Sequence, residues 1–307
     1  MTTRTTLWLL LSTLAATPAL AQAPLNPAQC GRRVALTLGL PWRAQRLGEP
    51  PQAQVRELLK KPEVVTTFAH FVNSRFNDLP GDRPEDDPVI PMIRYVFSND
   101  LPWRDVFVGR VKFVGAGGYP RIEADPTAPA LGYFASLPWQ KRYAGNEEAG
   151  WMLQAAYRTL QNTTGLALEP SPVNGQGDAT ATGRERAECR SCHYDTAWAL
   201  DKVARLLPVR VGLGNRAVIT QKPVTPQVLF GGATITDHEQ LVQALVTSQA
   251  FTFWSCRLAF EFTFGRPESS CEAPLFDACA DTLERTGRMQ DALATLLESP
   301  AFCGGTP

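Results

Sequence analysis

Apolar residues recur at helical spacing along most of the chain. Val55, Leu58 and Leu59 mark a first helical stretch. Pro62 can take the first position of the next, in which Val64, Val65, Phe68, Phe71, Val72 and Phe76 share one face. Text rich in Pro, Gly and Asp from Asp78 to Pro91 breaks the pattern and predicts a loop. Ile93 to Phe97 and Val106 to Val114 are short apolar runs that fit strand and helix alike. Trp151 to Leu160 is helical again. From Thr163 to Gly183 the chain is rich in Pro, Gly, Ser and Thr, with almost no large apolar residue after Val173. That composition predicts a loop or linker holding a domain boundary, placed between residues 175 and 176.

Beyond it the helical signals are stronger. Thr236-Asp237-His238-Glu239 reads as a capping box ahead of Leu241, Val242, Leu245 and Val246, with His238 a solvated first-turn residue. Phe251, Trp254, Leu258 and Phe262 form the stripe of a helix that stops at Gly265. Further helices fit Leu275 to Leu283 and Met289 to Leu297, the last closed by Ser299-Pro300. No internal repeat is visible, and the pattern predicts a mostly α protein.

Composition narrows the possible partners. The 307 residues carry 30 basic and 30 acidic side chains, so no basic face points to nucleic acid or an anionic membrane surface. At the start, Arg4 precedes an apolar run from Leu7 to Leu20 that is interrupted by Pro18, and Ala19 and Ala21 occupy the −3 and −1 positions of a cleavage site. Residues 1–21 therefore read as a signal peptide, with the mature chain beginning at Gln22. The run is shorter than the roughly 20 residues that span a bilayer. Cys30 does not follow it as a lipid-anchor cysteine would, and no later stretch is apolar enough to cross a membrane. The expectation is a soluble protein of the periplasm, or one secreted.

One short segment carries chemistry. Cys189-Arg190-Ser191-Cys192-His193 has the C-x-x-C-H spacing of c-type haem attachment. Two thiols three positions apart on a helical turn can both form thioethers with the haem vinyl groups. The adjacent His193 then lies under the iron as its proximal ligand. Three rival readings exist. A thioredoxin-like pair needs a strand before the motif, a zinc site needs two more ligands at similar spacing, and the two thiols could simply be bonded to each other. A polar, Gly-rich loop precedes the motif and no second C-x-x-C is present, so one covalent haem c is the expectation. The sixth iron position stays open among Met289, Met152, Met92, His70, His238 or no residue. Met289 and His70 also suit apolar core positions.

Five other cysteines remain, so at least one lacks an intramolecular partner. An antiparallel pairing of the helices on either side of Gly265 brings Cys279 nearer than Cys271 to the level of Cys256, and Cys256–Cys279 is the preferred bridge. Cys30 and Cys303 lie near the mature ends, where they can meet.

With Arg184-Glu185-Arg186 ahead of the motif, the chain resembles the planctomycete-type cytochrome c proteins, exported haem proteins built of several domains of unknown function. The likeness continues through Phe230-Gly231-Gly232, the helix Phe251 to Phe264, Gly265-Arg266 and Ser299-Pro300-Ala301-Phe302. It covers residues 184–303 well. Upstream only Asn99-Asp100-Leu101-Pro102-Trp103 and Phe68-Ala69-His70-Phe71 are similar. Members usually follow the motif with Asp-Pro-x-Gly, where this chain has Tyr194-Asp195-Thr196-Ala197-Trp198. The resemblance implies haem c and an exported helical fold without naming a reaction. The expected architecture is a helical, cytochrome c-like domain over 176–307 behind an α-rich region over 22–175. The expected role is electron transfer with a redox partner protein in the periplasm. Its alternatives are a haem peroxidase or oxidase with an open distal site, which needs an acid/base group over the iron, and an assembly subunit with a structural haem. Length motivates the last, since a minimal cytochrome c fold takes about 100 residues.

Overall fold

The computed structural model describes residues 24–41, 51–77, 87–115, 121–143, 152–168, 180–196, 198–211, 218–220 and 225–304. The expected signal peptide lies outside them. The chain is mostly helical. In order come α1 (Pro27–Thr37), α2 (Val55–Leu58), α3 (Pro62–Phe76), α4 (Val89–Ser98) and α5 (Asp105–Val108), then α6 (Leu137–Tyr143) and α7 (Met152–Thr164). The later helices are α8 (Ala181–Arg184), α9 (Ala187–Arg190), α10 (Leu200–Ala204), α11 (His238–Val246), α12 (Gln249–Phe264), α13 (Ala273–Thr286) and α14 (Met289–Glu298). Three antiparallel hairpins lie between them: β1 (Val111–Val114) with β2 (Arg121–Ala124), β3 (Val209–Val211) with β4 (Val218–Thr220), and β5 (Gln227–Leu229) with β6 (Ala233–Ile235). Among the described residues, no helix is long and apolar enough to cross a membrane.

Pro62 opens α3 as its spacing requires, and Val64, Val65, Phe68, Val72 and Phe76 are buried. The expected loop to Pro91 ends sooner, because α4 begins at Val89 and takes Pro91 into its first turn. A proline is tolerated there, where backbone N–H groups have no partner within the helix. The ambiguous run from Val106 to Val114 divides. Its first part completes α5, and its second is the strand β1, paired Val111 to Ala124 and Phe113 to Ile122.

One apolar core runs from Cys30 to Cys303. Its centre is aromatic: Phe68 meets Phe97 at 5.5 Å between ring centroids and Phe262 edge-on at 5.1 Å, while Trp103 meets Phe107 edge-on at 6.0 Å. Trp103 is tied to the C-terminal helices twice. Its indole N–H donates to Ser255 Oγ at 3.0 Å, and its backbone N–H donates to Gly287 O at 2.7 Å. Residues 169–179, which hold the expected boundary, lie outside the description, yet the core is continuous across it. The helix α7 packs against α10, α11 and α12, and α14 packs against α2. At the end of α7, Gly165 has φ +71°, and a Cβ there would stand 2.4 Å from the Trp254 ring, so only glycine lets the two helices approach so closely.

The closing helices follow the expected pattern. Ser248 caps α12, Gly265 ends it in the left-handed conformation with φ 72°, and Gly287 ends α13 in the same way with φ 69°. Cys256 and Cys279 are bridged with Cα atoms 5.9 Å apart, stapling α12 to α13. Cys30 and Cys303 are bridged at 5.3 Å, joining α1 to the end of the core. Cys271 is exposed and unbridged.

Candidate haem attachment site

The motif sits on a run of very short helical turns. Thr180 caps α8, its Oγ1 accepting from Gly183 N at 3.2 Å. After α9 the backbone widens into a π-helical turn, Ser191–Asp195, closed by Thr196 N donating to Ser191 O at 3.0 Å. Cys189 ends up in the last turn of α9, and Cys192 and His193 in the wider turn beyond. Turns of this kind often mark functional positions. Cys189 is partly exposed, Cys192 is exposed, and neither is in a disulfide.

The chain then reverses. Ala199 holds φ 28°, a conformation that a residue with a Cβ rarely adopts and that stores about 1–3 kcal/mol. The reversal starts α10 and brings Asp201, in its first turn, back to the motif. His193 Nδ1 lies 2.7 Å from Asp201 Oδ2. From α8, Arg184 grips the same carboxylate with two arms, Nη2 donating to Oδ1 at 2.6 Å and Nε to Oδ2 at 3.0 Å. The side chains of Arg184 and Asp201 are 9% and 8% exposed, so the pair is shielded from solvent. Burial by itself would raise the Asp201 carboxyl, but the His193 hydrogen bond and the Arg184 guanidinium outweigh it and hold the carboxyl below its usual range. An ionised carboxylate only accepts, so His193 Nδ1 carries the proton. The tautomer that donates from Nδ1 has its free lone pair on Nε2, the atom a metal would use.

Beside this triad the Tyr194 ring is buried, with the Arg190 and Arg205 guanidinium carbons each 6.0 Å from its centroid. Arg190 also pairs with Asp195 at 3.0 Å on the surface. Five residues beyond His193, the Trp198 indole N–H is buried without a hydrogen-bond partner.

This donor set fits a covalent haem. Two unbonded thiols at the required spacing stand on adjoining turns, Cys189 in α9 and Cys192 in the π-turn that also carries the oriented His193 imidazole. The rival readings find less to stand on. Residues 180–190 ahead of the pair form helical turns rather than a strand, and among the described residues no three His, Cys, Asp or Glu side chains gather as a metal-ion cage.

The five candidate sixth ligands sit on five different helices. Met92 in α4 and Met289 at the start of α14 are buried in the apolar core. Met152 opens α7, and its side chain lies outside the description. His70 is exposed on α3, which corrects the expectation of a core histidine: the buried face of that helix is filled by Phe68, Ala69 and Val72. His238 is corrected in the opposite sense. Asp237 caps α11 by accepting from Gln240 N at 2.8 Å, and Gln240 Oε1 accepts in return from Thr236 N at 3.0 Å. The cap leaves His238 pointing inward, where it is buried with its ring 6.2 Å from Phe134 and neither nitrogen hydrogen-bonded. Burial pushes its pKa down to about 4, with Asp237 opposing only weakly.

Asp201 is the functional neighbour that the spacing of the motif did not reveal. It stands eight positions beyond His193, and only the reversal at Ala199 makes the two meet. No family model, curated protein or solved structure matches the chain, so the resemblance rests on the residues quoted for it.

Proposed function

We propose that this chain is an exported monohaem c-type cytochrome of the planctomycete-type kind. It carries haem c on Cys189 and Cys192 with His193 as proximal iron ligand, and it exchanges single electrons with a redox partner protein in the periplasm. The observation that carries the reading is the placing of two free thiols on adjoining turns beside an imidazole whose Nδ1 is held by Asp201 at 2.7 Å. Haem supplies one-electron chemistry when bound. The chain's own residues do the rest: the thiols anchor, Asp201 fixes the imidazole plane and tautomer, and Arg184 fixes Asp201. Orientation of a metal-binding histidine by a carboxylate is the usual supporting arrangement.

The test is attachment. Protein purified from the periplasm should carry one haem that survives denaturation and acid-acetone extraction, and Cys189→Ala with Cys192→Ala should abolish it. Haem still covalently bound in that double variant would sink the assignment. An electron-transfer site should also be low-spin and six-coordinate in the ferrous state, binding carbon monoxide slowly or not at all. Rapid carbon monoxide binding with saturable peroxide turnover would replace electron transfer by the peroxidase or oxidase reading.

A further inference from the structure

We infer that Asp201 and Arg184 form an opposed pair that sets the reduction potential of the site. Asp201 acts on the iron through His193, and Arg184 limits how much of the carboxylate's charge reaches the ring. The inference rests on the haem reading above and goes beyond it, since attachment by C-x-x-C-H requires neither residue.

The geometry is specific. Asp201 Oδ2 is 2.7 Å from His193 Nδ1, while Arg184 Nη2 is 2.6 Å from the other oxygen, Oδ1. A carboxylate accepting the Nδ1 proton pushes electron density to Nε2 and makes the ring a stronger donor, which favours ferric over ferrous iron. The buried guanidinium draws the same charge the other way. A carboxylate this well buried would be expensive to ionise without it. The fork also fixes both oxygens in one plane, so the carboxylate cannot swing away from His193. With haem bound, His193 would hold the iron while the group exchanged one electron with the partner protein, and Asp201 and Arg184 would keep their hydrogen bonds throughout. Asp201 and Arg184 are positioning residues, and their effect is on an equilibrium.

Potentiometry of the purified holoprotein, followed by its visible spectrum, tests this. Asp201→Asn keeps a hydrogen-bonding group but removes the negative charge. It should shift the ferric–ferrous equilibrium about tenfold towards ferrous, a rise of about 59 mV for one electron. Arg184→Gln leaves the carboxylate uncompensated and should shift the equilibrium towards ferric, in the opposite direction. Asp201→Glu should return the potential most of the way to the parent value. Opposite signs are the signature, because a merely structural role, in which loosening the turn exposes the haem, would move both variants the same way. Unchanged potentials, or shifts of one sign, overturn the inference while the haem reading stands. Where Arg184→Gln does not fold, the proton spectrum of the parent holoprotein decides. A slowly exchanging His193 Nδ1–H resonance that is lost in Asp201→Ala supports the inference, and its absence from the parent overturns it. Parent protein isolated without covalent haem fails at the first spectrum, and the attachment reading falls with the inference.

Discussion

In the closing helices α11 to α14, nearly every turn delivers an apolar side chain to the core. In the segment 180–193 that leads into and carries the motif, few apolar side chains are buried and polar contacts tie it to the core. The closing helices run to 9, 16, 14 and 10 residues and bury Leu258, Phe260, Leu293 and Leu297 almost completely. Around the motif, α8, α9 and α10 have only 4, 4 and 5 residues, and α9 buries none of its own. Helices that short have no independent stability in water. The chain of contacts from Arg184 through Asp201 to His193 ties α8 and the motif to α10, and α10 is fixed in turn by burying Leu200, Val203 and Ala204 in the core. Hydrophobic burial is diffuse and tolerates local change, whereas a buried polar network depends on every member being satisfied. The first region is a frame that holds its own shape. The second carries the groups assigned above to the proposed haem, and it borrows its order from the frame through α10, which packs against α7.

The contrast can be tested from its strongest side first. The Cys30–Cys303 bridge spans 273 positions, and in the chain-entropy model closing so long a loop contributes about 5–6 kcal/mol. Cys30→Ser with Cys303→Ser should lower the guanidinium midpoint sharply and leave the haem spectrum intact. A parallel spectral change would mean that frame and motif are not separate. Next comes Phe260→Ala, a cavity in the fully buried face of α12, expected to cost about 3–5 kcal/mol by thermal or denaturant unfolding. A loss below 1 kcal/mol would show that the frame repacks.

His238 gives a pH effect inside the frame. Its folded pKa of about 4 lies below the ordinary 6.5, so the unfolded chain binds the extra proton between those values. Stability is therefore full above pH 6.5 and falls as the pH drops towards 4, by roughly 3 kcal/mol from this group. His238→Phe should flatten that slope in unfolding curves measured across the range. A changed visible spectrum in the same variant would instead assign His238 to the iron. The smallest effect belongs to the surface of the motif segment. Arg190 and Asp195 are about half exposed, and Arg190→Ala should cost under about 1 kcal/mol. A larger loss would place the order of the segment in its surface pairs rather than in the buried Arg184–Asp201 contact.

The two regions also differ in how legible they are in the sequence. Pro62, Gly265 and the apolar stripes announce α3 and α12 because helix periodicity and end signals are local. The antiparallel level of Cys256 and Cys279 follows from the same local geometry. The candidate residues Cys189, Cys192 and His193 stand out in the sequence because they fall within five positions at one known spacing. Their support does not stand out. Asp201 reaches His193 only through a π-turn and an unusual φ at Ala199, and no propensity encodes either. His238 and His70 exchange their expected surroundings for a related reason. Which first-turn residue faces inward depends on which neighbour takes the cap, and which side of α3 faces solvent depends on where Phe262 of α12 arrives. The Val106 to Val114 run divides because β2 lies across from its second half, a partner invisible to any window on the run itself.

The long bridge sets an order of events during synthesis. Cys30 is made early, yet it cannot meet its partner until the chain has grown as far as Cys303, and Cys189 and Cys192 appear in between. Throughout that wait the unpaired Cys30 thiol can be captured by another thiol, the two exposed or half-exposed motif thiols among them. Were thioethers to occupy Cys189 and Cys192, as proposed, these two would no longer compete, and only Cys256, Cys271 and Cys279 would stand between Cys30 and Cys303. Loading the motif before the ends close would then act as a proofreading step for the whole chain, and cells unable to attach haem should accumulate scrambled disulfide isomers of this protein rather than a clean apo form.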